Sequence, residues 1–211
     1  MLLSLLSATA QFQAETSASK FLIIGSANIE YLTTRGDFTH AEWSDAAKAN
    51  LMSAVARDVR DRGGVATSLD DDCEASLLIG QSILLASTVS MSADEALPHL
   101  YSSERNPDLT IGDFAINALQ ACEPFDQLII VSHEGRVISS GTILAGVALA
   151  ALTGFNADRD GSDTTTLSIF DGETGQLVHH VRTVNSDPRT STAALRIARD
   201  LIRLSGVFID E

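Results

Sequence analysis

The segment Thr164-Thr-Thr-Leu-Ser-Ile-Phe-Asp-Gly-Glu-Thr-Gly-Gln-Leu-Val-His-His-Val-Arg-Thr-Val184 decides the fold. It predicts two antiparallel strands, 164–170 and 176–184, joined by a turn over 171–175 whose glycines are available for positive φ. We expect Leu167, Ile169, Leu177 and Val181 to face the core. The turn could also be an exposed binding epitope, and a glycine substitution that lowers stability distinguishes a structural turn from an epitope.

Two short apolar runs predict further buried strands. Phe21-Leu-Ile-Ile24 stops at Gly25, with alternation continuing through Tyr31, and Gln127-Leu-Ile-Ile-Val-Ser132 is the second run. Together with the hairpin, these runs predict a small mixed sheet.

The intervening segments predict about five helices that cover this sheet. Thr39-His-Ala-Glu42 has the form of a capping box, and the helix it opens runs to about Arg62 before Gly63-Gly64. Its apolar stripe consists of Trp43, Ala47, Leu51, Val55 and Val59. Further helices are predicted over 74–89, 108–121, 137–155 and 191–206. The apolar positions expected to face inward from the 108–121 helix are Leu109, Ile111, Phe114, Ala115 and Leu119. The fold class is therefore an α/β or α+β sandwich with a C-terminal hairpin.

The fourth of the five predicted helices has an ambiguous sequence. Residues 137–155 are nineteen consecutive uncharged residues, a length that suggests a transmembrane helix. The segment is rich in Gly, Ser, Thr and Ala, and no basic or aromatic girdle flanks it. We therefore interpret it as the end of a strand followed by a buried helix of small residues, and expect no transmembrane span.

The N-terminal residues indicate export. Residues 1–10 resemble the second half of a signal peptide, and Ala8-Thr-Ala10 has the small-x-small form of a cleavage site. The missing basic segment indicates a start upstream of Met1, where a lipobox cysteine could lie. Residues 11–19 read as a linker, and residues 20–211 as one α/β domain. We therefore expect the periplasm or the periplasmic face of the outer membrane.

The charge of the chain disfavours two classes of partner, nucleic acids and anionic lipid surfaces. The 211 residues carry 28 acidic and 14 basic side chains, a net charge of −14. Such a chain repels nucleic-acid phosphates and lacks a polybasic patch for anionic lipid. The partner we expect is another envelope protein.

The two cysteines, Cys73 and Cys122, are not in a CxxC pair, so a metal knuckle or a thioredoxin motif is unsupported. An oxidising envelope would allow them to form a disulfide. Since the sequence does not place them within bridging distance, we interpret them as two separate buried thiols.

The sequence contains no recognisable catalytic motif. There is no GxxxxGK[ST] loop, no GxGxxG after a strand, no GxSxG and no HExxH. The five histidines are scattered, and His179 and His180 would point to opposite faces of a strand. These observations predict a non-enzymatic binding or accessory module. The alternative is a hydrolase-type enzyme whose site is assembled from dispersed residues.

One acidic segment resembles a metal site. Asn156, Asp158, Asp160 and Asp163 alternate around Gly161 as in the first half of a calcium loop. The twelfth position is Leu167 where a bidentate Glu is needed, and a strand follows instead of a helix. We therefore favour an acidic surface loop, and calcium is the one cofactor that the sequence suggests.

Five segments resemble an uncharacterised family of Gram-negative envelope proteins, many of them lipoproteins. The family's segments are a WTxxAxxN helix start, WTLG, a DYALFV strand, the hairpin SLVDLRTGDIVW and the turn GDLRT. The matching segments here are, in order, 42–51, 109–113, 126–131, 167–175 and Asp187-Pro-Arg-Thr190.

The resemblance implies an envelope location and no enzymatic activity. The implied fold is similar to the small α/β domains of the curli-secretion lipoprotein and of the Tol-system N-terminal domain. The sequence departs from the family near His179, where a tryptophan is usual, in lacking a lipobox cysteine, and in having the acidic loop at 156–163.

Overall fold

The computed structural model describes residues 18–33, 35–69, 109–140, 143, 163–184 and 187–207, with positions 80, 81, 84, 85 and 88. These residues form a six-stranded mixed sheet. Its strands are β1 (Lys20–Thr33), β2 (Gly36–Thr39), β3 (Val65–Ser68), β4 (Gln127–Ile138), β5 (Asp163–Asp171) and β6 (Leu177–Val184). Among the described residues there are three complete helices, α1 (Ala41–Asp61), α2 (Gly112–Cys122) and α3 (Ser191–Ser205).

The sheet is built around a long parallel pair, β1 and β4. The strand order is β2-β1-β4-β5-β6, and β3 also pairs with β1. Strands β1, β3 and β4 are parallel, and β2, β5 and β6 run antiparallel to their neighbours. The mixed α+β sheet with a C-terminal hairpin is therefore confirmed.

Two separate cores lie on the two faces of the sheet, because successive side chains of a strand point to opposite sides. On one face, Phe21, Ile23, Ile129 and Val131 pack against α1 and α3. On the other face, Leu22, Ile24, Leu128 and Ile130 pack against α2. We call these the α1/α3 face and the α2 face.

The predicted helix count is slightly too high for the described residues. Positions 80, 81, 84, 85 and 88 are helical, inside the predicted helix 74–89, and so are positions 140 and 143. Most of the predicted segment 137–155 lies outside the described residues, although its first residues do end β4. None of the helices that the structure describes has the length and apolar character needed to cross a membrane.

The start of α1 differs from the capping-box prediction. Thr39 is the last residue of β2, and its hydroxyl donates to Asn28 Oδ1 at 3.2 Å. The N-cap is His40, whose side chain makes no capping bond. The Thr39 hydroxyl therefore bonds a side chain of β1 and does not make the helix cap that the local pattern had predicted. The predicted stripe is buried from Ala47 to Val59, and Trp43 is half-buried.

Helix α2 begins later than predicted, at Gly112, whose φ is +80°. The prediction that Phe114 faces inward is wrong, since this side chain is 71% exposed. Ile116, two residues later, lies in the core and is 1% exposed.

The cysteine prediction is also wrong. Cys122, at the end of α2, is disulfide-bonded. The sequence contains one other cysteine, Cys73, which lies outside the described residues. A disulfide is typical of proteins that leave the reducing cytosol.

The hairpin agrees with the prediction, and both turn glycines are constrained by their surroundings. The N–H of Gly172 donates to the carbonyl oxygen of Asp126 at 2.8 Å. A Cβ added to Gly172 would lie 2.5 Å from that same oxygen. Gly175 has φ +67°, and an added Cβ would lie 2.9 Å from Ile116. The turn is thus docked against the start of β4 and against α2.

We predict that Gly172→Ala destabilises the protein by about 2 kcal/mol, because the methyl group must displace backbone. The melting temperature should fall by about 4–8 °C. Gly80→Ala is the control, since among the described residues no heavy atom lies within 4 Å of the added Cβ there. Equal melting temperatures for the two variants would show that the turn is an undocked surface loop.

Candidate functional site

Strands β1 and β4 extend beyond the α2 core at their C-terminal ends. The register pairs Ala27 with His133 and Ile29 with Gly135. By alternation from Ile23 and Val131, these residues lie on the α1/α3 face. The side chains gathered here come from β1, β2, α1, β4, β5 and the segment before α3.

An aromatic cluster forms one half of this region and consists of Tyr31, Phe38, His40 and Trp43. The rings of His40 and Trp43 are stacked, with centroids 3.9 Å apart and an angle of 8°. Tyr31 meets Trp43 edge to face at 5.4 Å and meets Phe38 at 6.2 Å. Such geometries add stabilisation beyond area burial. Phe38 is 51% exposed, so the cluster reaches the surface.

Strand pairing and a side-chain bond hold the aromatic cluster in place. Tyr31 and Phe38 are directly opposite each other in the β1–β2 pair. The Ile29 N–H donates to Ser44 Oγ at 2.9 Å, which joins β1 to the first turn of α1. The His40 N–H donates to the Ile29 carbonyl at 2.8 Å. These bonds fix the backbone positions of Tyr31 and Phe38 in the strand pair and of His40 and Trp43 at the start of α1.

Arg189 joins the aromatic cluster to a neighbouring group of polar side chains. Its guanidinium carbon lies 4.6 Å from the centre of the Trp43 ring, a cation–π contact. The same guanidinium donates to both carboxylate oxygens of Asp187, with a shortest distance of 2.6 Å. Asn50 of α1 donates to the carbonyl oxygens of Pro188 and Arg189 at 3.2 Å and 2.9 Å.

The polar cluster consists of His133, Asp163, Asp187 and Arg189. His133 is 2% exposed, and its Nδ1 forms a 2.9 Å hydrogen bond with Thr165 Oγ1. A Cβ added to Gly135 would lie 2.7 Å from His133 Nε2 and 2.7 Å from Asp163 Oδ1. Glycine at position 135 therefore leaves the space into which both side chains point.

The surroundings shift the pKa values of the polar cluster. Burial lowers the pKa of His133 to about 4, and the Asp187 carboxylate opposes this shift. Burial, followed by the charge of Asp187, raises the pKa of Asp163. The side-chain hydrogen bond between Asp187 and Arg189 lowers the pKa of Asp187 and raises that of Arg189. At neutral pH, the His133 side chain is therefore uncharged, and it lies near the ion pair between Asp187 and Arg189.

The structure describes only one of the four predicted calcium ligands. Asn156, Asp158 and Asp160 lie outside the described residues, and Asp163 is the first residue of β5. Within the described ranges, no three His, Cys, Asp or Glu side chains are placed to hold a metal ion. The calcium loop stays a prediction.

Local sequence patterns do not reveal most of this region. Trp43 was predicted as part of the buried helix stripe, and Asp187 and Arg189 belong to the turn that matches the family's GDLRT segment. His133 was one of five scattered histidines. The contact between Trp43 and Arg189 joins distant parts of the chain, so no local pattern could reveal it. The sequence feature that could have pointed to this site is the single tryptophan, Trp43, at the start of a predicted helix.

The aromatic cluster and Arg189 combine side-chain types that are enriched at protein interfaces. Trp, Tyr and Arg are the residues that contribute most at protein interfaces, and here they contact one another. Thr165 engages His133 Nδ1, and Asp187 neutralises Arg189. The Asp187–Arg189 pair therefore lies within the 187–190 turn, and the exposed edge of the aromatic cluster is the ring of Phe38.

We predict that stability depends on the ionisation of His133. The unfolded chain takes up this proton near pH 6.5, whereas the folded chain resists it until about pH 4. The free energy of unfolding should therefore fall as the pH drops through this window, by about 3 kcal/mol over the whole window and about 2 kcal/mol between pH 7.5 and pH 5. In His133→Gln this fall should be smaller. Urea unfolding at about pH 7.5 and pH 5 measures it. Parallel losses in both proteins would contradict the prediction.

Comparisons with known protein families and with curated proteins find no match. Among solved structures, the chain is similar to the hypothetical protein CT253 from Chlamydia trachomatis, with a TM-score of 0.37 and 8% identity over 92% of this chain and 99% of that one. It is also similar to lipoprotein GNA1162 from Neisseria meningitidis, with a TM-score of 0.35 and 6% identity over 89% of this chain and 99% of that one. With TM-scores this low, neither similarity bears on the function of this chain.

Proposed function

We propose that this chain is an exported envelope protein that works, without catalysis, by binding another envelope protein. The observation that carries the proposal is the aromatic cluster with Arg189 stacked on Trp43. Half-buried Trp and Tyr side chains beside an exposed Phe are typical of the centre of an interface. The contacts within the cluster fix the rings before binding, which reduces the entropy lost on association.

Two observations support the export part of the proposal. The disulfide at Cys122 fits an oxidising compartment, because cytosolic reductants keep thiols reduced. Ala8-Thr-Ala10 has the form that signal peptidase cleaves. The periplasm, or the periplasmic face of the outer membrane, meets both conditions.

The alternative function, a hydrolase-type enzyme, has one observation in its favour. His133 and Asp163 converge beside Gly135, and both have shifted pKa values, which is a feature of many active sites. Against it, His133 Nδ1 is bonded to Thr165 on the neighbouring strand β5. The Asp187–Arg189 ion pair and the hydrogen bonds from Asn50 hold the turn before α3. We therefore assign these residues a structural role.

Site-specific photo-crosslinking tests the proposal. A photo-reactive amino acid at position 38 should form an adduct with one envelope protein in intact cells, since Phe38 is the exposed edge of the cluster. The same amino acid at position 114, which is also exposed but lies on α2, is the matched control. Fractionation should recover the adduct from the envelope. Identical adducts from both positions, or a protein that stays in the cytosol, would refute the proposal.

A further inference from the structure

Strand β2 is the outer strand of the sheet at the aromatic cluster. It stands first in the order β2-β1-β4-β5-β6 and, within the described part of the chain, pairs with β1 alone. All four of its residues are exposed. Phe38 lies in this strand opposite Tyr31, and its side chain is 51% exposed. The exposed ring of the aromatic cluster therefore lies on an open edge of the sheet.

The pairing register shows which backbone groups of β2 point away from β1. Opposite residues in an antiparallel pair alternate between those that exchange hydrogen bonds and those that do not. His40 directly follows β2, and its N–H donates to the Ile29 carbonyl oxygen at 2.8 Å. Counted back from this bonded pair, Phe38 is in the next bonded pair, whereas Asp37 and Thr39 are in unbonded pairs. The N–H and C=O groups of Asp37 and Thr39 therefore face outward.

These outward groups are available to another chain. Among the residues that the structure describes, no hydrogen bond is made to the outward N–H or C=O groups of Asp37 and Thr39. A chain that runs alongside β2 in an extended conformation would bond both N–H groups and both C=O groups. Extended segments add to the edges of sheets in this way, with affinity from the backbone and specificity from alternate side chains.

The other two edge strands are less suited to this pairing. The N–H of Leu177, at the start of β6, already donates to the Leu109 carbonyl oxygen at 2.7 Å. In β3, the central residue Ala66 is buried. Neither strand contains Phe, Tyr or Trp. Strand β2 is the edge strand that combines outward backbone groups with an exposed aromatic ring.

We propose that the partner protein adds an extended segment to the outer edge of β2. The segment forms backbone hydrogen bonds with Asp37 and Thr39, and the partner side chain opposite Phe38 lies on the same face of the sheet as that ring. This side chain extends the row of Tyr31 and Phe38 by one member. An apolar or aromatic residue is favoured there, since such cross-strand pairs stabilise sheets. The inference rests on the proposed function and names how the partner docks and which side chain it presents.

The side chain of Asp37 takes no part in this contact. Because successive side chains of a strand point to opposite faces, Asp37 lies on the α2 face and Phe38 on the α1/α3 face. Pairing at this edge therefore depends on the backbone N–H of residue 37 and not on its charge. A substitution that removes the N–H can be compared with one that removes only the charge.

Photo-crosslinking from position 38 of the full chain, in intact cells, tests the inference. Asp37→Pro removes the outward N–H, so the yield of the adduct with the partner should fall about tenfold. Asp37→Asn is the matched control, because it removes the charge and keeps the N–H, and its adduct should be unchanged. Mass spectrometry of the adduct should place the crosslinked residue of the partner in an extended segment.

Hydrogen exchange checks that β2 stays paired in Asp37→Pro. The amides of Tyr31 and Phe38 bond across the β1–β2 pair and should remain protected, because proline replaces an N–H that this pair does not use. If their protection is lost, Thr39→Pro removes the other outward N–H and takes the place of the first variant, with Thr39→Ser as its control.

The outcomes separate this inference from the proposed function. An adduct that persists in Asp37→Pro, an equal loss in Asp37→Asn, or a crosslink to a helix of an envelope protein would refute the inference and leave the proposed function standing. Absence of any adduct at position 38, or an adduct between two copies of this chain, would remove both.

Discussion

The parallel pairing of β1 with β4 is the interaction on which the rest of the structure depends. It runs along all 12 residues of β4, from Gln127 opposite Phe21 to Ile138 opposite Leu32. Each pair contributes alternate side chains to the two faces, so the one ladder supports both cores. Neither helix layer contacts the other core, since the sheet separates α1 and α3 from α2. Without this pairing, the helices on each face would lose the sheet against which they bury their apolar side chains.

The candidate site is a consequence of the length of this pair. The apolar side chains of the α2 core occupy the first half of the two strands, and the second half extends past it with Tyr31 on β1 and His133 on β4. Strand β2 folds back on that extension, and α1 starts directly after it. Asn50 then anchors the 187–190 turn, whose Thr190 caps α3 by accepting from the Ala193 N–H. Aromatic and polar side chains from distant segments are therefore held together by hydrogen-bonded backbone. This gives the proposed binding surface a fixed geometry before any partner binds.

The elements that could be located from the sequence are those with strong local patterns. The hairpin, β1, β4 and α3 have clear periodicity or turn chemistry, and each was found near its observed position. Strands β2 and β3 were missed because four residues are too few for a period, and pairing with β1 alone makes them strands. The capping box at Thr39 was a local pattern overridden by pairing, and the inward assignment of Phe114 failed with the start of its helix. The disulfide and the Trp43–Arg189 contact depend on proximity in three dimensions, which spacing along the chain does not encode.

Hydrogen exchange along β4 tests most directly whether the site is a rigid extension of the core. Residues 128–131 lie between the two cores, and residues 132–135 carry the ladder to the polar cluster, paired to β1 and β5 throughout. If the surface is preformed, hydrogen-bonded amides in both halves should exchange with free energies of opening within about 1–2 kcal/mol of each other. Fast exchange confined to residues 132–135, through local opening, would contradict a preformed surface held by the β1–β4 ladder.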